Sequence, residues 1–564
     1  MNKEKVIAKA DELQDGQMKE VKVEDRSILL VRVKGEYRAY LPECPHHGAP
    51  LSEGVLCDGR LRCPWHQTVF DAATGNLLDP PSLDRLAHYE VRVEGDDVIV
   101  SIPEHPAESR PPAMVGLDTN ADDRTFAIIG AGAAGMAAAE TLRHEGYRGR
   151  IVMLTREKAF AYDRTQLSKR YLAKPDASAP FIRDAAFYTN HGIELLPEHE
   201  VTEVDVSTKT ITCADDTAMN YDRLLVVSGG APRKLDVEGA DLGNVFTLRS
   251  LADSNCLREA AAAAERAVVV GASFIGMEVA ASLESRDVPV TVVAPEATPF
   301  ERTLGQRIGR MYREVHEDKG GRFRLGTSVE RFEGEDGKVA RVVCKDGETL
   351  EADLVVVGIG VRPVTGFLKG VQINDDGSLN VDERFGVRDS VFAAGDVARF
   401  PDWRAGRPIR IEHWRLAQQH GMAAARAMLD KDPEFRDVPF FWTNQHWVIV
   451  QYVGYAREWD EIVVDGDISK QQFVAYYVKG GWLFGEKVGM GRLQLFARHE
   501  ASDYDRNDDL RDNQVNAVGA NYYLDGQQLK LTFEFADVTY DEEDPLSNTY
   551  SDHKQATLGF QMLF

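Results

Sequence analysis

At 564 residues the chain exceeds what one hydrophobic core can organise, so three or four domains are expected. Its 43% apolar and 28% charged residues exclude extended disorder. A formal net charge of −25 repels phosphate backbones and anionic membrane surfaces, which argues against nucleic acid as a partner.

The N-terminus, MNKEKVIAKADELQDGQ, has neither an apolar stretch nor a small-residue cleavage site, and no run of apolar residues is long enough to span a bilayer as a helix. A cytoplasmic protein is therefore expected, with no membrane for residues 1–480. The six cysteines, Cys44, Cys57, Cys63, Cys213, Cys256 and Cys344, are not spaced as a secreted disulfide framework, which fits a reducing compartment.

The first chemical signal is CPHHGAPLSEGVLCDGRLRCPWH, from Cys44 to His66. Cys44 and His46 stand on one loop and Cys63 and His66 on a second. A zinc site is one reading, but zinc knuckles usually segregate cysteines from histidines. Interleaved pairs suit two irons, one held by both thiolates and the other by both imidazoles. With Gly48, Pro50 and the following TVFDAATG, the pattern resembles the Rieske family over about residues 18–102. The resemblance implies an all-β domain, residues 1–102, with a [2Fe–2S] cluster on Cys44, His46, Cys63 and His66. It also implies a low potential. Ala49 and Trp65 stand where high-potential members carry a second pair of cysteines, and Phe70 replaces a tyrosine, so fewer hydrogen bonds reach the sulfurs. Gln67 departs from the glycine often found after the second histidine, and Cys57 reads as an ordinary loop cysteine. The Pro-rich, aperiodic stretch 103–123 reads as a linker.

Next comes FAIIGAGAAGMAAAETLR, in which Gly130, Gly132 and Gly135 separate an apolar strand from an Ala-rich helix. Such a turn lets a pyrophosphate rest on a helix N-terminus. A following strand reaches Glu157, at about the right distance for an acid on a ribose. The pattern recurs in AVVVGASFIGMEVAASLE, with Gly271, Ser273 and Gly276, before another strand, PVTVVAPE. Two nucleotide-binding domains are expected.

The further stretches YDRTQLSK, LLVVSGGAPRK, VVVGIGVRP, VFAAGDVARF and IEHWRLAQQHGMAAA, in that order, resemble the two-dinucleotide flavoproteins. The resemblance is specifically to their branch of ferredoxin reductases and apoptosis-inducing-factor-like oxidoreductases, over about residues 124–479. The resemblance implies two Rossmann-like domains, an FAD domain (124–240 and 366–430) and an NAD(P) domain (241–365), then a small α+β reductase C-terminal domain (431–480). Gly130, Gly132, Ala134 and Gly135 would cradle the FAD pyrophosphate and Glu157 its ribose. Arg164 and Lys169 would lie along the flavin with Gly229, Asp396 would accept from the ribityl or pyrophosphate part, and Trp414 would stand near the ring. NADH or NADPH would use Gly271, Ser273, Gly276 and Gly360, with Glu296 on its ribose. Lys169 and Glu278 would pair as the catalytic couple that holds the nicotinamide. Glu296 lies two positions past the expected strand end and no Arg cluster follows, although Arg302 is near, so NADH is preferred. Cys213, Cys256 and Cys344 are each isolated, so a disulfide-reductase route is excluded and the cluster is the natural electron exit.

The last stretch, 481–564, alternates in segments of about ten residues, with Leu529, Leu531, Phe533 and Phe535 on one side and Lys530, Thr532 and Glu534 on the other. Ending on Phe560, Met562 and Phe564, it resembles the last strands of an outer-membrane porin. Four strands cannot close a barrel, which needs about eight. An antiparallel β tail is expected, either joined by gene fusion or a soluble C-terminal module, whose open edges favour homo-oligomers or aggregation.

The chain thus reads as a multidomain α/β and β protein, an NAD(P)H-dependent FAD oxidoreductase of ferredoxin-reductase type. Electrons would pass from NAD(P)H through FAD to a Rieske cluster and on to an unidentified acceptor, an oxygenase or a small redox carrier. The rivals are an NADH oxidase or peroxide-type reductase with a regulatory Rieske domain, and an outer-membrane β-barrel fusion.

Overall fold

The structure, a computed structural model, describes residues 3–478 except 106, 108, 434 and 460, and beyond them the backbone of four strands, Arg492–Ser502, Asn513–Leu524, Leu529–Tyr540 and His553–Met562. The chain divides into two compact units: Met1–Pro401 with Pro408–Tyr455, and Asp402–Arg407 with Ala456–Phe564.

In the first unit, the strand Arg26–Val33 holds an unbroken apolar run, Ile28 to Val31, because both of its faces are covered there. Leu29 and Val31 join the core that contains Cys44 and Cys63, while Ile28 and Leu30 join a second core with Tyr37, Val98 and Val100. This strand belongs to a six-stranded sheet formed by Lys3–Lys9, Asp97–Ile102, His88–Glu94, Glu36–Tyr40, Arg26–Val33 and Met18–Val23 in spatial order. A smaller meander, Val55–Cys57, Arg60–Arg62, Val69–Asp71 and Leu77–Asp79, presents the two Cys/His loops.

Two parallel sheets follow. The first orders Ile193–Leu196, Arg150–Leu154, Thr125–Ile129, Arg223–Val226 and Val391–Ala393, with the antiparallel Gly386–Arg388 at its edge. The second orders Val245–Thr247, Leu354–Val357, Ala267–Val270, Val290–Ala294 and Arg322–Leu325. In each, the strand that carries the glycine turn lies where the winding reverses, the place where such sheets open a ligand crevice. The helix Trp414–Met428 crosses the helix Ala133–His144 so closely that a Cβ on Gly421 would lie 2.1 Å from the carbonyl oxygen of Ala134.

The stretch 103–123 is pinned at both ends. Arg85 and Arg110 exchange backbone hydrogen bonds, and the Arg110 side chain donates to the carbonyls of Leu86 and Thr74. Further along, the amides of Val115 and Asp118 donate to the carbonyls of Arg143 and Arg148.

Within 431–478 the described elements are strands alone. Phe440–Gln445 and Val448–Val453 form a hairpin in the first unit. In the second unit, Glu461–Asp467 pairs with Gln472–Val478 in continuous register. The four later strands of that unit form an antiparallel sheet in chain order. This matches the spacing of the alternating segments, while the facing of their side chains lies outside the described residues. Among the described residues no helix is long and apolar enough to cross a membrane.

Candidate functional site

The two Cys/His loops are held by backbone hydrogen bonds that turn each one back on itself. Cys44 N–H donates to Ala49 O and Gly48 N–H to Cys44 O, while Cys63 N–H donates to Thr68 O. The result brings all four predicted ligands together in pairs. Cys44 and Cys63 are buried and share a hydrogen bond, which together with burial pushes the Cys44 thiol up. The same bond, with the amides of His66 and Trp65, draws Cys63 down to about 7 against its burial. The Nδ1 atoms of His46 and His66 face each other at 3.1 Å. Burial holds both imidazoles neutral, His66 at about 3. Paired thiols and paired neutral imidazoles are the donor set a [2Fe–2S] cluster takes, and the residues fit it.

Phe70 is fully buried beneath the cysteines, in keeping with the loss of a tyrosine hydroxyl there, but Thr68 supplies a hydroxyl bond to Cys44 that the sequence reading missed. Gln67 adopts a left-handed backbone at φ +63°, which accounts for the glycine usual at that position.

Outside the loops, Trp442 stands tilted over His66 with ring centroids 4.3 Å apart, and His47 Nε2 reaches Asp163 Oδ2 at 3.2 Å. Burial raises Asp163, but the bond to His47 and the nearby imidazoles and Thr165 hydroxyl outweigh it and bring it down to about 2. Arg415 donates to Pro80 O and pairs with Asp79, and Gln451 donates to the carbonyls of Pro64 and Trp65. These contacts seat the cluster loops against the helix Trp414–Met428 and the hairpin 440–453.

The first glycine turn opens a cleft lined by Gly130, Gly132, Ala134, Glu157, Arg164, Gly229, Asp396 and Trp414. A Cβ on Gly135 would lie 2.0 Å from the Gly130 carbonyl oxygen, whereas one on Gly132 would meet nothing within 4 Å. The turn is thus tight on its protein side and vacant on its cleft side, the shape a pyrophosphate needs. Glu157 and Arg164 pair with each other at 2.9 Å, with the Tyr162 hydroxyl bonded to both. Asp396 is met by Arg249 at 2.8 Å, a partner that no local sequence signal marked.

Lys169 and Glu278 meet at 2.8 Å, and Glu278 is only 4% exposed. The carboxylate also accepts from Ser168 Oγ (2.5 Å) and Thr443 Oγ1 (2.8 Å). Neither Lys169 nor Glu278 lines the first cleft. The second turn repeats the first, with a Cβ on Gly276 falling 2.1 Å from the Gly271 carbonyl oxygen. Ser273 is exposed at the N-cap without capping, Gly360 faces open space, and Glu296 pairs with Arg302 at 3.2 Å.

Comparison with known proteins agrees with this layout. Residues 124–421 match the family described as pyridine nucleotide-disulphide oxidoreductase, residues 3–90 the Rieske [2Fe-2S] domain, and residues 440–499 the reductase C-terminal domain. The chain is 39% identical to apoptosis-inducing factor 3 of Homo sapiens over 492 residues, covering 85% of this chain and 80% of that protein. It is 37% identical over 356 residues to the ferredoxin–NAD(+) reductase component of the biphenyl dioxygenase system of Paraburkholderia xenovorans, covering 62% and 85%. Among solved structures, the covalent putidaredoxin reductase–putidaredoxin complex aligns with a TM-score of 0.60 and 31% identity, covering 63% of this chain and 87% of the matched one. The porin resemblance of residues 482–564 is not supported, and the reductase match runs to residue 499, into the strand Arg492–Ser502, past the boundary read at 480. Alternation alone misled there, because it marks any half-buried antiparallel sheet.

Proposed function

The chain belongs to the pyridine nucleotide-disulphide oxidoreductase family, and from that premise we propose that its two nucleotide turns and its Cys/His loops serve one electron path. It is an NAD(P)H–FAD oxidoreductase that passes electrons to an iron–sulfur carrier. When bound, the flavin takes a hydride and gives up electrons singly, and a [2Fe–2S] cluster accepts them one at a time.

The residues divide the task. Cys44, Cys63, His46 and His66 hold the cluster. Gly130, Gly132, Ala134 and Gly135, with the helix amides behind them, would cradle the FAD pyrophosphate, Glu157 would accept from its ribose, and Arg164 and Lys169 would lie along the flavin. Gly229 and Asp396 would hold the ribityl or pyrophosphate part, and Trp414 would stand near the ring. Gly271, Ser273, Gly276 and Gly360 receive the dinucleotide, which is NADH because Glu296 can accept from both ribose hydroxyls and would repel a 2′-phosphate. Lys169, oriented by Glu278, presents a cation to the nicotinamide end. Residues 1–102, 124–240 with 366–430, 241–365 and 431–480 are the corresponding domains. The final acceptor is a small redox carrier or an oxygenase, and a cytoplasmic location and self-association belong to the same reading.

One observation carries this reading: a single cavity is lined both by His46 and His47 of the cluster loop and by Trp414 of the flavin cleft. An anaerobic titration with NADH tests it. The flavin absorbance should bleach and an electron-spin signal of the reduced cluster should follow; a cluster that stays oxidised throughout would show that the path is wrong. In Cys44→Ser the flavin should still bleach while one-electron output is lost.

A further inference from the structure

The Lys169–Glu278 couple does not end at Glu278. Thr443, fully buried on the strand Phe440–Gln445, donates its hydroxyl to Glu278 Oε1. Gln445 Nε2 in turn donates to Thr443 Oγ1 at 3.0 Å, and Gln445 Oε1 faces His316 Nε2 at 3.0 Å. His316 has no exposed surface, and its Nδ1 lies 2.9 Å from Glu284 Oε2. The same carboxylate oxygen is reached by His446 Nε2 at 2.5 Å. Two side chains of one strand, Thr443 and Gln445, thus join the carboxylate beside Lys169 to a buried cluster of His316, His446 and Glu284.

Hydrogen-bond polarity gives the chain a direction. An ionised Glu278 only accepts, so Thr443 must spend its single proton there and can only accept from Gln445. The Gln445 amide is then fixed with its N–H toward Thr443 and its carbonyl toward His316. That carbonyl requires a proton on His316 Nε2, and Glu284 requires one on Nδ1. Burial pushes Glu284 up, but the hydrogen bonds from His316 and His446 outweigh it and keep the carboxyl below its usual range, so it acts as acceptor. Turning the amide over would put two acceptors, the Gln445 carbonyl and Glu278, on the one Thr443 hydroxyl proton.

We propose that Thr443, Gln445 and His316 are positioning residues for hydride delivery: a one-way hydrogen-bond chain, anchored by His316 held between Glu284 and Gln445, that fixes the carboxylate orienting Lys169. The proposal rests on the reading of Lys169 and Glu278 given above. None of the three lines the first cleft and all are buried, so they reach the nicotinamide end through Glu278.

The test is the rate of flavin reduction by NADH in stopped flow on the full holoprotein, with flavin content and thermal unfolding measured alongside. Thr443→Val should slow reduction about tenfold, the loss of one bond to a charged acceptor; Gln445→Leu and His316→Leu should slow it too by releasing Thr443, with flavin content unchanged in all three, and Thr443→Ser should restore the rate. The double variant Thr443→Val/His316→Leu should be no slower than Thr443→Val, because both break the same chain. Multiplying losses in the double variant, or a Thr443→Ser protein as slow as Thr443→Val, would overturn the proposal. So would one equivalent of zinc in the isolated protein lost in Glu284→Gln, since a metal would take the place of the His316 Nδ1 proton. Lys169→Met separates the two readings: if it slows reduction and the chain variants do not, only the chain fails, whereas a Lys169→Met protein reduced at the normal rate removes the premise.

Discussion

The two glycine turns are near copies in backbone and opposites in setting. In both, the last glycine sits 2.0–2.1 Å, in Cβ terms, from the carbonyl oxygen of the first, so each strand and helix pack equally tightly. Yet the first turn is roofed by Asp396, Trp414 and the helix Trp414–Met428, while the second presents an exposed Ser273 and an Ile275 that is 43% exposed. The difference teaches how one motif serves two residence times. A roofed turn suits a cofactor that stays through many turnovers, and an open one suits a substrate that must leave after each.

The strongest way to break this comparison is to fill both turns. Adding a side chain at either last glycine costs about 3 kcal/mol of overpacking, roughly a hundredfold in affinity. Gly135→Val should yield protein that purifies without flavin absorbance, whereas Gly276→Val should remain yellow and lose its response to NADH. If Gly276→Val also loses its flavin, the turns are not separable and the comparison collapses.

A smaller effect sharpens the open side. Glu296→Gln should lower kcat/KM for NADH by about tenfold, the loss of charge-assisted bonds to a ribose, and lower the value for NADPH less. Equal losses with both nucleotides in steady-state assays would remove Glu296 from the ribose.

The smallest effect probes the roof. His420, on the roofing helix, is fully buried among Phe385, Phe400 and Phe435, and burial holds it at about 3. Its folded pKa lies below the unfolded value, so the stability tied to the neutral ring is present above about pH 6.5 and is lost as pH falls toward 3. One pH unit below the unfolded value this amounts to about 1 kcal/mol. His420→Phe should flatten the fall of melting temperature between pH 6.5 and 5, and flavin release on acidification should move to lower pH. An unchanged pH profile would place the acid sensitivity elsewhere.

The sequence was most informative where chemistry is local. Cys44, His46, Cys63 and His66 announce themselves by spacing within two loops, and both glycine turns by the strand and helix that flank them. Arg249, Trp442 and Thr443 were not legible, because each meets its partner across a domain: Asp396 lies far along the chain from Arg249, and Glu278 far from Thr443. The stretch VPFFWTNQHW holds Trp442 and Thr443, but nothing in it says which residues its alternate faces meet. Period-two alternation likewise located the strands between 492 and 562 but not their family, as any antiparallel sheet with one wet face produces it.

The pinned stretch 103–123 has a kinetic consequence. A segment bonded at one end to Leu86 and Thr74 and at the other to Arg143 and Arg148 turns encounter between donor and acceptor into an intramolecular event, whose effective concentration does not change with dilution. Reduction of the cluster in this chain should therefore be first order, with a half-time that is the same at nanomolar and at micromolar protein, where a reductase and a separate ferredoxin would slow in proportion as they are diluted.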